Sequence, residues 1–251
     1  MLSRSDGVIL ADPILSAQGL HKRFNALVVL EDVNFTMGAN EAVGIVGPNG
    51  AGKTTLLSVL AGAFQPNAGS VTFKGKDVTA LAAAQRCRLG LVRTHQIPRP
   101  FSGMTAFENV FVAAAHGAGL KRAEAYDQAI ASLELCGMLA VANRRAETLG
   151  LLDRKRLELA RALAAKPDLL LLDEIGGGLT DAEASELVAT ILELRRRNIA
   201  IVWIEHIVHI LLQVAKRLIC MDAGRIIADG NPKAVMADPE VIKAYLGGGP
   251  K

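Results

Sequence analysis

Short apolar runs bounded by turn residues recur at residues 41–46, 89–92, 168–172, 199–204 and 218–221, and helical patterns lie between several of them. Runs that are apolar throughout predict strands buried on both faces. Their alternation with helices predicts a largely parallel sheet covered by helices. Residues 14–35 and 70–78 read differently, as short, turn-punctuated strands that predict an antiparallel layer beside that sheet. Residues 105–163 read as nearly all helix, with alanine-rich patterns at 105–115 and 122–135, which predicts a helical insert. In the tail, Asn231 and Asp238 each precede a proline, so two short helices are expected over 232–246. The expected organisation is one domain over 1–251, its core formed by 1–97 and 166–251 and its helical subdomain by 98–165.

Composition narrows the class of function. A chain of 251 residues can bury a substantial core, and a net charge of +3 with 21% charged residues is no global polycation, so no nucleic-acid partner is expected. Cys87, Cys136 and Cys220 form no close pair, which fits reduced thiols acting as small apolar residues in a cytosolic compartment. The N-terminus lacks a basic segment followed by an apolar stretch, and no run approaches the roughly 18 apolar residues of a membrane span. The expectation is a chain neither secreted nor membrane-spanning. Its 51% hydrophobic content and mean hydropathy of +0.29 hint at surface covered by a partner, although alanine inflates both.

Phosphate chemistry is the clearest signal. Gly47-Pro48-Asn49-Gly50-Ala51-Gly52-Lys53-Thr54, followed by Thr55, joins the expected strand 41–46 to an expected helix 53–61 and matches G-x-x-x-x-G-K-T in a strand-loop-helix context. Glycines let backbone N–H groups wrap a phosphate chain, and the helix N-terminus adds favourable potential. Lys53 would pair with β and γ oxygens while the Thr54 hydroxyl ligates Mg²⁺. The apolar run 169–172 leads into Asp173 and Glu174, the pair needed beside such a loop: Asp173 for the magnesium hydration shell, Glu174 to polarise water. His206 follows the run 199–204, where it could reach a γ-phosphate at the sheet's C-terminal edge.

These motifs together resemble the ATP-binding subunits of ABC transporters, over nearly the whole chain. Gln96 in Arg93-Thr94-His95-Gln96 matches that family's Q-loop glutamine, His206 its switch histidine, and Phe24 the aromatic stacked on adenine, with core packing of Phe24 as the alternative. The resemblance implies an α/β fold: a P-loop ABC ATPase core with a parallel sheet, an antiparallel β layer and an inserted α-helical subdomain. It implies ATP and Mg²⁺, with Lys53, Gln96, Glu174 and His206 catalytic and Thr54, Gln96 and Asp173 at the metal. Residues 93–101, 103–110 and 238–247 look like importers of branched-chain and other hydrophobic amino acids, amides or urea. The implied partners are transmembrane permease subunits docked through 97–115, where Phe101, Met104, Phe107 and Phe111 suit a helix from the membrane partner, and, indirectly, a periplasmic solute-binding protein. The implied location is peripheral, on the cytoplasmic face of the inner membrane. A soluble ABC-type ATPase uncoupled from transport is the alternative; the tandem cassettes or long coiled-coil inserts frequent there are missing from this sequence.

The same resemblance exposes a departure. Gly150-Leu151-Leu152-Asp153 stands where the family has Ser-Gly-Gly-Gln, the signature that completes the ATP site of the opposite subunit. Leu151 and Leu152 add bulk, and Asp153 brings negative charge toward a phosphate. The helix dipole and Arg154, Lys155 and Arg156 offset this in part; alternatively Asp153 is an N-cap and the basic run a solvated face. Ile175 replaces the usual proline and Thr180 the usual aspartate. The expected outcome is an intact own site and an impaired partner site, hence a second ABC ATPase subunit in a heterodimer, with a homodimer as the alternative.

Overall fold

Turn chemistry sets the first layer. In this computed structural model, which describes residues 13–247, Asn25 takes a left-handed φ of 53° between β1 (Leu15–Phe24) and β2 (Leu27–Met37). Asparagine tolerates that conformation, and the two strands pair antiparallel. β4 (Ala68–Phe73) pairs with the other edge of β1, and β5 (Lys76–Asp77) completes a four-stranded sheet of order β2-β1-β4-β5. This is the antiparallel layer expected from 14–35 and 70–78.

The second sheet has the order β10-β9-β3-β8-β7-β6. Its parallel members are β3 (Ala42–Val46), β6 (Leu91–Arg93), β7 (Leu169–Asp173), β8 (Ala200–Ile204) and β9 (Arg217–Asp222). Every residue of β3, β7 and β8 is buried. Successive side chains enter opposite cores: Val43, Ile45, Leu169 and Leu171 pack with α1 (Lys53–Leu60) and the antiparallel layer, while Ala42, Val46, Leu170 and Leu172 pack toward the helical insert. Two observations correct the sequence expectation. The run 89–92 is split, because Leu89 caps α2 (Ala83–Arg88) and Gly90 turns the chain at φ 97°, where a Cβ would lie 2.3 Å from the Asp168 carboxylate. The unpredicted β10 (Arg225–Gly230) adds an antiparallel edge.

In the insert, Thr105 N-caps α3 (Ala106–Val112) in a capping box with Glu108, and a π-helical turn over Ala113–Gly117 carries the chain toward α4 (Arg122–Leu135). Residues 136–150, expected to be helical, are irregular apart from 3₁₀ turns at Leu139–Val141 and Ala146–Thr148. The chain then enters α5 (Leu151–Ala164). Ala129, Leu133 and Leu159 of the insert share one core with Leu170 and Leu172 of the sheet. After β7 come α6 (Asp181–Arg196) and, beyond β8, α7 (Val208–Val214); α8 (Pro232–Met236) and α9 (Pro239–Gly247) occupy the expected tail positions. Residues 1–12 and 248–251 of the expected domain lie outside the described residues. Among the described residues no helix is long and apolar enough to cross a membrane.

Candidate functional site

The loop between β3 and α1 is shaped by contacts only glycine permits. Gly47 has φ 143°, and a Cβ there would sit 2.1 Å from the Met221 carbonyl oxygen; at Gly52, φ 97°, it would meet the Val29 carbonyl at 2.6 Å. Gly52 is also the N-cap of α1, and no side chain caps that end. The first-turn amides therefore face a cavity of about 210 Å³ lined by residues 49–55, Val29 and Glu174. Gly47 and Pro48 are not among its lining residues; they shape the loop from outside. Lys53 is 5% exposed, and its Nζ donates to the carbonyls of Gly47 (2.7 Å) and Pro48 (2.9 Å). Burial lowers its pKa, opposed chiefly by the Glu174 carboxylate.

Below the loop, the Thr54 hydroxyl lies 3.4 Å from Asp173 Oδ1 at the end of β7. Arg93 holds the other carboxylate oxygen at 2.7 Å and, through its second nitrogen, Ser58 Oγ at 2.7 Å. Thr54 lines the cavity and the buried Asp173 oxygen lies behind its hydroxyl, a hard-oxygen pair of the kind that fits Mg²⁺. Gln96 is not on this pair. Its side-chain amide donates to the Glu174 carboxylate, whose other oxygen is 2.8 Å from His206 Nε2. Glu174 has a left-handed φ of 47°, uncommon for a residue with a Cβ, and its amide bonds the Ile204 carbonyl at 2.9 Å. The structure therefore brings Gln96 and His206 to the two oxygens of the Glu174 carboxylate.

Phe24 lies outside the phosphate cavity and outside the core. Its ring is half-exposed at the end of β1, edge-on to Phe64 at 5.2 Å, with Lys22 Nζ 5.0 Å from its centroid. Gly150, not Asp153, is the N-cap of α5, so the N-cap alternative for Asp153 is corrected. Asp153 sits in the first turn, 3.8 Å from Arg156, which also pairs with Glu186. Leu151 is 47% exposed and packs over Gly178, and Leu152 is half-buried. The basic run is no uniform solvated face: Arg154 donates to the Glu147 carbonyl at 2.8 Å, and Lys155 is buried. Ile175 is buried in the core, and Thr180 N-caps α6 in a capping box with Glu183. Of the apolar residues in 97–115, Ile97, Phe101 and Met104 are exposed, whereas Phe107 and Phe111 pack on each other, with Phe107 also against Tyr126.

A family model described as "ABC transporter" matches residues 30–176, which contain the phosphate loop and the strand ending in Asp173 and Glu174. The chain belongs to the ABC transporter ATPase family. A second model, "Branched-chain amino acid ATP-binding cassette transporter", matches residues 225–250. Among curated relatives, the high-affinity branched-chain amino acid transport ATP-binding protein LivG of Escherichia coli K12 is 37% identical, over 95% of this chain and 99% of its own. The corresponding BraF of Pseudomonas aeruginosa is 36% identical, over 94% and 98%. The solved ADP conformation of an ATP-binding cassette of an ABC transporter superposes with a TM-score of 0.84 at 30% identity, covering 94% of this chain and 100% of that one.

As an ABC ATPase the chain binds and hydrolyses ATP. Four residues beside its nucleotide region escaped the motif reading: Arg93 on Asp173; Lys155; Tyr245 of α9, whose hydroxyl accepts the Gly47 amide at 2.9 Å; and Glu205. No sequence signal marks them, because three of them act on backbone atoms of distant segments. Glu205, 2% exposed, accepts the amides of Gly176 (2.6 Å) and His206 (3.2 Å). Burial raises its pKa above the ordinary 4.5, opposed by those two donors. A carboxyl with a raised folded pKa favours folding below its unfolded value, and that contribution is lost as pH rises through the folded value. Melting curves of wild type and Glu205→Gln should thus show any wild-type advantage shrinking as pH climbs above 4.5. A difference independent of pH across the acid-to-neutral range would mean that Glu205 is not strained by burial.

Proposed function

We propose that the chain is the ATP-hydrolysing motor of an importer for branched-chain or other hydrophobic amino acids, amides or urea, with its own nucleotide site intact and a degenerate signature loop. The convergence of Gln96 and His206 on the Glu174 carboxylate, which lines the phosphate cavity, carries this reading. ATP enters against the amides of residues 50–55, and Lys53 turns from the carbonyls of Gly47 and Pro48 to the β and γ oxygens. Phe24 receives the base. Thr54 and Asp173 would hold Mg²⁺, joined by the Gln96 side chain once it leaves Glu174, and the ion supplies charge neutralisation on the phosphates. A γ-phosphate competes for His206 and Gln96, which frees the Glu174 carboxylate to take a proton from the attacking water.

The importer assignment draws on the match over residues 225–250 and on the branched-chain amino acid role named for LivG and BraF. Ile97, Phe101 and Met104, exposed just after Gln96, suit a helix from a permease subunit. Gly150, Leu151, Leu152 and Asp153 would face ATP held by a second, different ATPase subunit. A solute-binding protein would act only through the permeases. The test is fractionation of cells that co-express the chain with the permease pair of a branched-chain amino acid importer from the same organism. Wild type should sediment with membranes, and Ile97→Asp with Phe101→Asp should release the chain while ATP binding persists. Wild type remaining in the supernatant would support an ATPase uncoupled from transport.

A further inference from the structure

Lys155 is the fifth residue of α5, the helix that begins at the signature loop, and only 5% of it is exposed. It runs inward from that helix toward this chain's own nucleotide site. Its Nζ donates to the main-chain carbonyl of Gln96 at 2.9 Å and to that of Glu174 at 3.2 Å. Among the described residues it makes no ion pair, although the carboxylates of Glu205, Glu174, Asp173 and Glu158 all act on its charge. A buried ammonium bonded to two carbonyls is a costly arrangement, which singles out those carbonyls. Both belong to residues whose side chains meet at the site, and Glu174 is the one with the left-handed backbone.

We infer that Lys155 is a positioning residue that fixes the backbones of Glu174 and Gln96 from the signature helix, so that displacement of α5 is transmitted to the carboxylate orienting water in this chain's own site. The physical basis is direct. Glu174 holds φ 47° between two restraints, its amide on the Ile204 carbonyl and its carbonyl on Lys155 and the Gly177 amide. Removing the ammonium leaves the Glu174 carbonyl held only by the Gly177 amide at 3.3 Å, which loosens the left-handed backbone that carries the carboxylate. Lys155 donates to Gln96 and Glu174 and to none of the phosphate-loop residues, so nucleotide affinity is expected to change little in its absence. The inference rests on the proposed role of Glu174, and the experiment separates the two.

Steady-state hydrolysis, Mg-ATP affinity and melting midpoint are measured for the full-length chain in its purified complex, as wild type, Lys155→Met, Lys155→Arg and Glu174→Gln. Methionine keeps the apolar stem and volume but has no donor; arginine keeps charge and donors. For Lys155→Met the expected result is a fall in kcat of about tenfold or more, with KM and Mg-ATP affinity within about threefold of wild type. Lys155→Arg should recover most of the lost kcat. Unchanged kcat in Lys155→Met, in a preparation where Glu174→Gln is inactive, overturns the positioning role alone. Parallel losses of kcat, affinity and melting midpoint that arginine does not repair overturn it in favour of a tether for α5. An active Glu174→Gln would instead remove the assigned water-orienting carboxylate, and the proposed site chemistry with it.

Discussion

Glu174→Gln is expected to lower steady-state hydrolysis by about two to three orders of magnitude while Mg-ATP affinity stays within a few-fold of wild type. The carboxylate lines the phosphate cavity but bonds to Gln96 and His206 rather than to the loop that would hold nucleotide. An amide of the same shape can still bond both neighbours, so the cavity should survive. What it cannot do is accept a proton from water. The effect therefore belongs in kcat, read as phosphate release at saturating Mg-ATP, with affinity from calorimetric titration. Hydrolysis near the wild-type rate would mean that another base serves the reaction and that the group around Glu174 is only structural.

Lys53→Ala should fail at the earlier step. Here ATP affinity should fall by about 10- to 100-fold, because a charge-assisted pairing with phosphate oxygens is worth roughly a few kcal/mol in a site shielded from water. Lys53 is held ready by two neutral carbonyls, and burial already disfavours its charge, so the ligand-free fold loses little when it goes. The melting midpoint without nucleotide should lie within about 4 °C of wild type, while the stabilisation produced by added Mg-ATP should largely vanish. Equal affinities would show that the loop amides alone hold the phosphates.

The contrast between these variants also marks what a linear sequence can carry. Strands β3, β7 and β8 were legible because burial on both faces leaves an uninterrupted apolar run. β10 was not, since Arg225, Asp229 and the glycine ending it dilute the pattern. Residues 136–150 carried helix-forming alanines and leucines, but Gly137 at φ 67° stops α4 and Gly150 starts α5, with irregular chain between. At the site, Lys53, Thr54, Asp173, Glu174, Gln96 and His206 were legible because each sits in a motif of recognisable order. Lys155 and Glu205 were not, because their partners are main-chain atoms many residues away, and an inward lysine in Arg154-Lys155-Arg156 reads like its outward neighbours. Likewise Phe107 and Phe111 looked like part of a docking face. The packing of α3 against α4 half-buries them, whereas Ile97, Phe101 and Met104 stay exposed.

The unequal capacity of the chain, complete toward its own ATP and deficient toward a partner's, is the central claim. Gly150 has open space around it, Leu151 projects from the loop, and Asp153 is offset by Arg156 at 3.8 Å. The decisive measurement uses the complex assembled with the partner ATPase and with Glu174→Gln silencing this chain's own site. Residual hydrolysis then reports only on the site this loop completes, and it is compared with and without Gly150→Ser, Leu151→Gly, Leu152→Gly and Asp153→Gln together. Restored backbone approach, a hydroxyl donor and a neutral side chain at the phosphate should raise that residual rate severalfold, about tenfold if close to 1.4 kcal/mol is regained. No increase, in a complex that assembles and binds ATP, would contradict the claim and show that the native loop already serves the partner's phosphate in full.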